Sequence, residues 1–415
     1  MIRSAPQTSI ANRDRFLQSI ADLSAIGRLP QGGVRRIAYT PEDIQGRDRV
    51  CKWMQEAGMT VRIDAAGNII GRYEGKFPQL PILATGSHLD TVPSGGRYDG
   101  ALGVLAGLEV VRRLQDQNLR FDRPFEVIVF TDEESSTIGS KGMSGRVVSD
   151  PEYYRRPDGT SIQTCLQRMG GNWDAIATAK RQVGEIAAFI ELHVEQGPVL
   201  ESMHTEIGIV EGIVGQRRFK ILVEGSANHA GTTPMSMRQD ALVAASKVVL
   251  AVNALGNTPG QQVATVGQLQ VYPNAANVVP GKVEMSLDIR DLDRQHLDRI
   301  LEQLRQQLEE IALATDTKIQ IAPQLHLEPA LAAPHIRQAI ARACENGGLS
   351  YTHLPSRASH DAQEMANITD MGMIFVPSSG GISHTETEHT SPEECLRGVN
   401  ILWDTLWQLD RYYGR

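Results

Sequence analysis

The chain is 415 residues long, 41% hydrophobic and 22% charged, with a formal net charge of -8: enough apolar chain for two domains with separate cores, and too ordinary a composition for disorder. An acidic balance without a basic stripe disfavours a nucleic-acid partner and favours a small solute. Cys51, Cys165, Cys344 and Cys395 form no CxxC, no apolar run could span a bilayer, and the amino-terminal MIRSAPQTSIANRDRF has no signal-peptide core, so reduced thiols in a soluble, cytoplasmic protein without membrane contact are expected.

In chain order, helical spacing marks residues 13–25 and 41–57, the second opened by Thr40-Pro41-Glu42-Asp43 as a cap with acids in the first turn. Residues 64–68 read as a turn between short strands at 60–63 and 69–73. The apolar run 82–85 then leads into GSHLDTVPSGGRYDGALG at 86–103 and a helix-like run from Gly103 to Leu114. A strand that ends in a glycine-rich loop feeding a helix is where an open α/β sheet presents polar side chains to a ligand. Here those side chains are His88, Asp90 and Asp99.

The same context recurs. The β-rich run 126–131 ends in Asp132-Glu133-Glu134; the run 188–197 delivers His193 and Glu195 with Gln196 beside them; the run from Met373 leads to His384. Strands alternating with helices predict an α/β fold with a mostly parallel sheet covered by helices, and four such segments would converge at one sheet edge.

Between the third and fourth segments the pattern changes. Strands at 216–224, 262–272, 282–290 and 318–322, with helices at 238–253 and 293–314, give the order β-α-β-β-α-β of a ferredoxin-like unit. Residues 214–328 therefore read as an inserted domain, with residues 1–213 and 329–415 forming one catalytic domain in two parts. Its leftover sheet edge is available to a second copy, which makes a homodimer through 214–328 the expected assembly. The chain closes on a helix opened by the capping box Ser391-Pro392-Glu393-Glu394, with Cys395, Val399, Leu402, Leu406 and Leu409 at helical spacing.

His88, Asp99, Glu134, His193 and His384 combine three imidazoles with carboxylates and no thiolate, a set suited to zinc, manganese, cobalt or nickel in a hydrolytic site. Five ligands are too many for one open ion but suffice for two if a carboxylate bridges them, and Asp99, on a glycine-flanked loop, is the natural bridge. Glu133, left over, is placed to move the proton from water to the departing nitrogen. Asp90 reads as the acceptor that fixes the His88 tautomer.

GGVRR at 32–36, GSHLDTV at 86–92, GGRYDGALG at 95–103, TDEE at 131–134, ELHVEQG at 191–197, NHAGTTPM at 228–235, DIRD at 288–291, SHDA at 359–362 and GISH at 381–384 together resemble the M20 peptidase clan and, within it, the hydantoinase/carbamoylase family of amidases. The resemblance extends over almost the whole chain. It implies a catalytic domain of metallopeptidase type, with one metal on His88 and His193, the other on Glu134 and His384, Asp99 between them and Glu133 as general base. It also implies a dimerisation or lid domain at the insert.

By the same resemblance His229 reaches the site from the partner subunit and steadies the oxyanion, while Arg290 clamps a substrate carboxylate with help from Asn277. Without it, residues 228–234 read as a structural turn and Arg290 as an exposed salt bridge. Gln196 and Ser359 are further candidates on the substrate side. The chain departs from the family where it carries Ser135, Ser136 and Thr137 after the double Glu, Arg357 and Ser359 in place of glycines, and GISHTETEHT in place of GISHSPEE. All of these lie where the substrate is expected.

The expected activity is hydrolysis of the carbamoyl (ureido) C–N bond of an N-carbamoyl-L-amino acid, giving the amino acid, ammonia and carbon dioxide. Allantoate is the alternative substrate, followed by 3-ureidopropionate or an N-acyl amino acid. A binding protein that has kept this fold and lost turnover is disfavoured because all five ligands and the base are present.

Overall fold

The structure is a computed structural model that describes residues 11–414; the first ten residues of the amino-terminal stretch read above as lacking a leader lie outside them. The first strands are β1 (Thr60–Ile63), β2 (Ile69–Tyr73), β3 (Ile82–His88), β4 (Phe125–Phe130), β5 (Ile186–Val194) and β6 (Ile207–Ile213). They are followed by β7 (Gly215–Glu224), β8 (Asn228–His229), β9 (Val263–Thr265), β10 (Leu269–Tyr272), β11 (Val278–Val279), β12 (Lys282–Asp291) and β13 (Lys318–Leu327). The last are β14 (Ala330–Leu331), β15 (Tyr351–Ser356) and β16 (Asp370–Val376). The chain folds as two compact units, Ile213–Ala330 and the remainder of the described residues.

In the larger unit the sheet runs β1-β2-β4-β3-β5-β16-β6-β14, with β15 also on β6. Its centre is parallel: β3 pairs β4 and β5, and β5 pairs β16, all in the same direction. Antiparallel β2 and β6 flank that centre. The parallel strands ILATGSH and FEVIVF are buried at every position, as both-face coverage by helices requires. The predicted helix from Gly103 begins two residues earlier, at Ala101, and runs to Asp116 over β3 and β5.

The closing helix Pro392–Tyr412 forms as its sequence signals. Glu394 N–H donates to Ser391 Oγ and Ser391 N–H to Glu394 Oε2, and Cys395, Val399, Leu402, Leu406 and Leu409 are all buried. No helix among the described residues is long and apolar enough to cross a membrane, and all four cysteines are free.

The smaller unit has the strand order β10-β12-β7-β13, with β9 also on β12, and all pairings are antiparallel. Along β12 burial alternates, so Val283, Met285, Leu287 and Ile289 join Leu297, Ile300, Leu304 and Leu308 of the helix Arg294–Thr315 in one core. The opposite face carries Lys282, Glu284, Asp288 and Arg290. The single strand expected at 262–272 is two, because its register against β12 shifts by one residue between the pairs Thr265–Asp288 and Leu269–Met285, where the Gln268 N–H goes to Ser286 Oγ (3.0 Å). The helix expected at 238–253 is Ala241–Gly256, since Asp240 caps it by accepting the Leu242 and Val243 N–H groups.

Candidate metal centre and active site

The parallel strands deliver their loops to one edge of the sheet. His88 is the last residue of β3 and His193 lies near the end of β5, so both rings are fixed by ladder geometry and buried to 1% exposure. Glu133 and Glu134 follow β4. His384 departs from the expected pattern: β16 ends at Val376, and His384 stands on the loop beyond it, with about half of its side chain exposed. The site therefore has a closed end at His88 and His193 and an open end at His384.

Asp99 joins two donor groups. Its Oδ1 lies 3.1 Å from His193 Nε2 and 3.5 Å from His88 Nε2, while its Oδ2 lies 3.2 Å from His384 Nε2. His384 Nε2 is in turn 3.5 Å from Glu134 Oε2. The ligand atoms of His88, Asp99 and His193, and those of Asp99, Glu134 and His384, lie within 4.8 Å of one another in each group. His88 Nδ1 contacts the Asp90 carbonyl at 2.9 Å and His193 Nδ1 the Val194 carbonyl at 2.8 Å. A carbonyl can only accept, so each Nδ1 carries a hydrogen, and each Nε2 is the ring atom left to face Asp99 or an ion beside it.

The expectation for Asp90 changes in its detail. Its main-chain oxygen fixes His88, whereas its carboxylate stands 3.9 Å from Nδ1 and accepts the N–H groups of Glu133 (3.3 Å) and Glu134 (3.2 Å). At this position the carboxylate turns from the ring onto the neighbouring loop. Arg36 of GGVRR, buried, donates from Nε to the Leu89 carbonyl at 2.7 Å and so pins the same loop from behind.

Several of these residues hold left-handed backbone without being glycine: Asp132 (φ 56°), Gln196 (φ 60°) and His384 (φ 56°). Such strain persists only where surrounding contacts over-determine it. At Asp132 they are Arg156 Nη1 at 3.0 Å on one carboxylate oxygen and the Ser136 hydroxyl on the other. Gly100 (φ 65°) is required twice over, since a Cβ there would stand 2.4 Å from the His88 ring.

The electrostatics are those of a cavity short of positive charge. Burial, then Asp361, Glu134 and Asp90, push the Glu133 carboxyl well above the usual range, against the pull of His88. Burial and then Asp99 raise Glu134 to about 7. Burial opposes charge on Asp99, yet hydrogen bonds from His193, His384 and His88 hold it well below its ordinary value. The His384 ring, bonded to Asp99, is raised to about 9. Protons are here shared among imidazoles and carboxylates that divalent cations would otherwise pair with. With no thiolate in the set, the donors fit hard or borderline ions.

Glu133 Oε2 lies 3.7 Å from His88 Nε2, beside the first donor group rather than inside either. Gln196 Nε2 donates to Asp99 Oδ2 at 3.0 Å and lies 3.3 Å from His384 Nε2. Glu195 is not a donor to the centre: its carboxylate accepts the Val199 and Leu200 N–H groups, capping the helix Val199–Ser202. Ser359 and Arg357 are exposed. The centre also contains residues that the sequence reading passed over. Glu191 accepts from Ser87 Oγ (2.7 Å) and from the Ala362 N–H (3.0 Å), tying β5 to β3 and to the helix Asp361–Met365. A glutamate inside the apolar run AFIELHV was the available signal.

Within the smaller unit, β8 pairs β11 with His229 opposite Val278, and the Ala230 N–H donates to the Asn277 carbonyl at 2.9 Å. His229 and Asn277 are thus neighbours. His229 Nδ1 accepts the N–H groups of Gly231 (3.0 Å) and Thr232 (3.2 Å), which leaves Nε2–H as an outward donor. Arg290 is engaged on its own strand: Nε donates to Asp288 Oδ1 at 2.8 Å, and the carboxylate also holds Arg218 (3.1 Å).

The model of peptidase family M20/M25/M40 matches residues 84–408. The chain is 39% identical over 401 residues to the N-carbamoyl-L-amino acid amidohydrolase of Geobacillus stearothermophilus, covering 95% of this chain and 98% of that one. It is 35% identical over 407 residues to the allantoate amidohydrolase of Escherichia coli (strain K12), covering 96% and 98%. Among solved structures, an amidase of the hydantoinase/carbamoylase family from Burkholderia multivorans matches with a TM-score of 0.89 and 36% identity over 96% of this chain and 98% of that one.

Proposed function

The chain belongs to peptidase family M20/M25/M40 and is a hydrolase of amide C–N bonds; on that premise we propose that it opens the carbamoyl C–N bond of N-carbamoyl-L-amino acids. The observation that carries the reading is Asp99, whose two oxygens each face a separate donor group. His88 and His193 would hold one divalent ion and Glu134 and His384 the other, with Asp99 shared; zinc, manganese, cobalt and nickel all suit the donors. Such ions acidify water and polarise a carbonyl when bound.

The chain's own groups do the rest. Glu133, outside both donor groups and with its carboxyl pushed well above the usual range by burial, takes the proton of the attacking water and returns it to the departing nitrogen. The amino acid leaves with that proton, and the carbamic acid formed breaks down to ammonia and carbon dioxide. His229 offers its Nε2–H to the developing oxyanion. Arg290, released from Asp288, binds the substrate carboxylate with Asn277, while Gln196 and Ser359 line the ureido side.

Allantoate shares the ureido and carboxylate groups and is the second reading, on the strength of the Escherichia coli relative. A panel of N-carbamoyl-L-amino acids, allantoate, 3-ureidopropionate and N-acyl amino acids, compared by kcat/KM, ranks them. The highest value is expected for an N-carbamoyl-L-amino acid; a higher value for allantoate would transfer the assignment.

We further propose that residues 214–328 form the contact of a homodimer in which each His229 serves the other subunit. Mixing His229→Ala with Glu133→Gln tests this, because the mixed dimer would contain one complete site. Activity is expected to reappear on subunit exchange. Exchange demonstrated by mass without recovered activity would assign His229 to its own chain.

A further inference from the structure

We propose that Glu388 is a positioning residue that clamps the Asp99 loop to the His384 loop and so sets the spacing of the two metal positions. Its Oε1 accepts the N–H groups of both Tyr98 and Asp99, each at 3.1 Å. Its Oε2 accepts the hydroxyl of Ser383, the residue before His384, at 2.7 Å. One buried carboxylate, 4% exposed, thus holds the backbone that carries the bridging residue and the neighbour of the loop-borne ligand.

His384 needs such an anchor more than the other ligands do. His88 and His193 are set by parallel strands, whereas His384 stands on a half-exposed loop in left-handed backbone. The Asp99 loop is shaped around the clamp as well: a Cβ at Gly96 would fall 2.0 Å from Glu388 Oε1. Glu388 is not itself a ligand, since its oxygens are taken by three donors and neither donor group includes it. A filler role for a buried acid would ask for no particular partners, but here all three donors lie within one residue of Asp99 or His384 or on Asp99 itself.

The inference rests on the two-ion reading, and titration of metal-free protein with manganese, cobalt or zinc separates the two. Glu388→Gln keeps the shape but removes the charge, and with its oxygen on the Tyr98 and Asp99 N–H groups its amide N–H₂ faces Ser383, whose hydroxyl must then accept and turn its hydrogen elsewhere. Metal affinity is expected to fall about 10- to 100-fold, as for other groups that orient ligands, and Glu388→Asp to recover part of it. The Co²⁺ absorption spectrum of the loaded variant should shift. Should Glu388→Gln fail to fold, Ser383→Ala removes only one of the three donors, and a several-fold weaker affinity is expected. Wild-type metal affinity and Co²⁺ spectrum in the folded variants would overturn the role of Glu388. Wild-type protein that bound no ion at all would instead overturn the metal reading beneath it.

Discussion

Asp99→Asn is expected to lose both ions together. An asparagine presents one carbonyl oxygen where the carboxylate presents two, and its amide N–H₂ would face either His384 Nε2, now 3.2 Å from Oδ2, or the His88 and His193 pair beside Oδ1. Neither orientation serves both donor groups. The charge that three imidazole contacts stabilise in Asp99 also disappears. Activity should fall by at least roughly a thousandfold, because water in an ion-free site keeps its ordinary acidity. Metal analysis of the folded variant checks the cause: retention of two ions per chain would mean that Asp99 is not the bridge.

Glu133→Gln should separate proton transfer from metal binding. Glu133 contacts His88 but belongs to neither donor group, so both ions should remain while turnover falls by at least about a hundredfold. Near-normal turnover would reduce Glu133 to a loop residue. Loss of metal would exchange its role with that of Glu134, which the two backbone bonds to Asp90 make a real alternative: they fix where the loop starts, and the side chains then diverge.

The sequence made the strand-borne half of this centre legible and the loop-borne half less so. His88 and His193 could be read because apolar runs buried on both faces imply parallel strands, and the ends of such strands share one edge. Asp99 and the two glutamates followed from the same logic. Glu388 was not legible, since the Tyr98 and Asp99 N–H groups it accepts lie 290 and 289 positions away and no periodicity marks such a contact. GISHTETEHT was therefore read as a substrate-side departure, although one of its glutamates holds the Asp99 loop.

The main strands and helices of the smaller unit were legible in outline from alternation. Along β12, burial with period 2 put the apolar residues on the core face and Arg290 on the other. That pattern could not tell whether Arg290 would stand alone, and the structure pairs it with Asp288, two residues away on the same face. The split of 262–272 was hidden for a similar reason: the register against β12 shifts by one residue between Thr265 and Leu269, and propensity says nothing of such a shift.

Hydrolysis of a ureido bond by two ions held around Asp99 can be checked most directly by reconstitution. Metal-depleted protein is given manganese, cobalt or zinc in steps, and ammonia and amino acid released from an N-carbamoyl-L-amino acid are measured at each step. Negligible release is expected without metal, with a rise that reaches its plateau at two ions per chain. Full activity in the metal-free protein, or no release from the substrate at any metal loading, would contradict it.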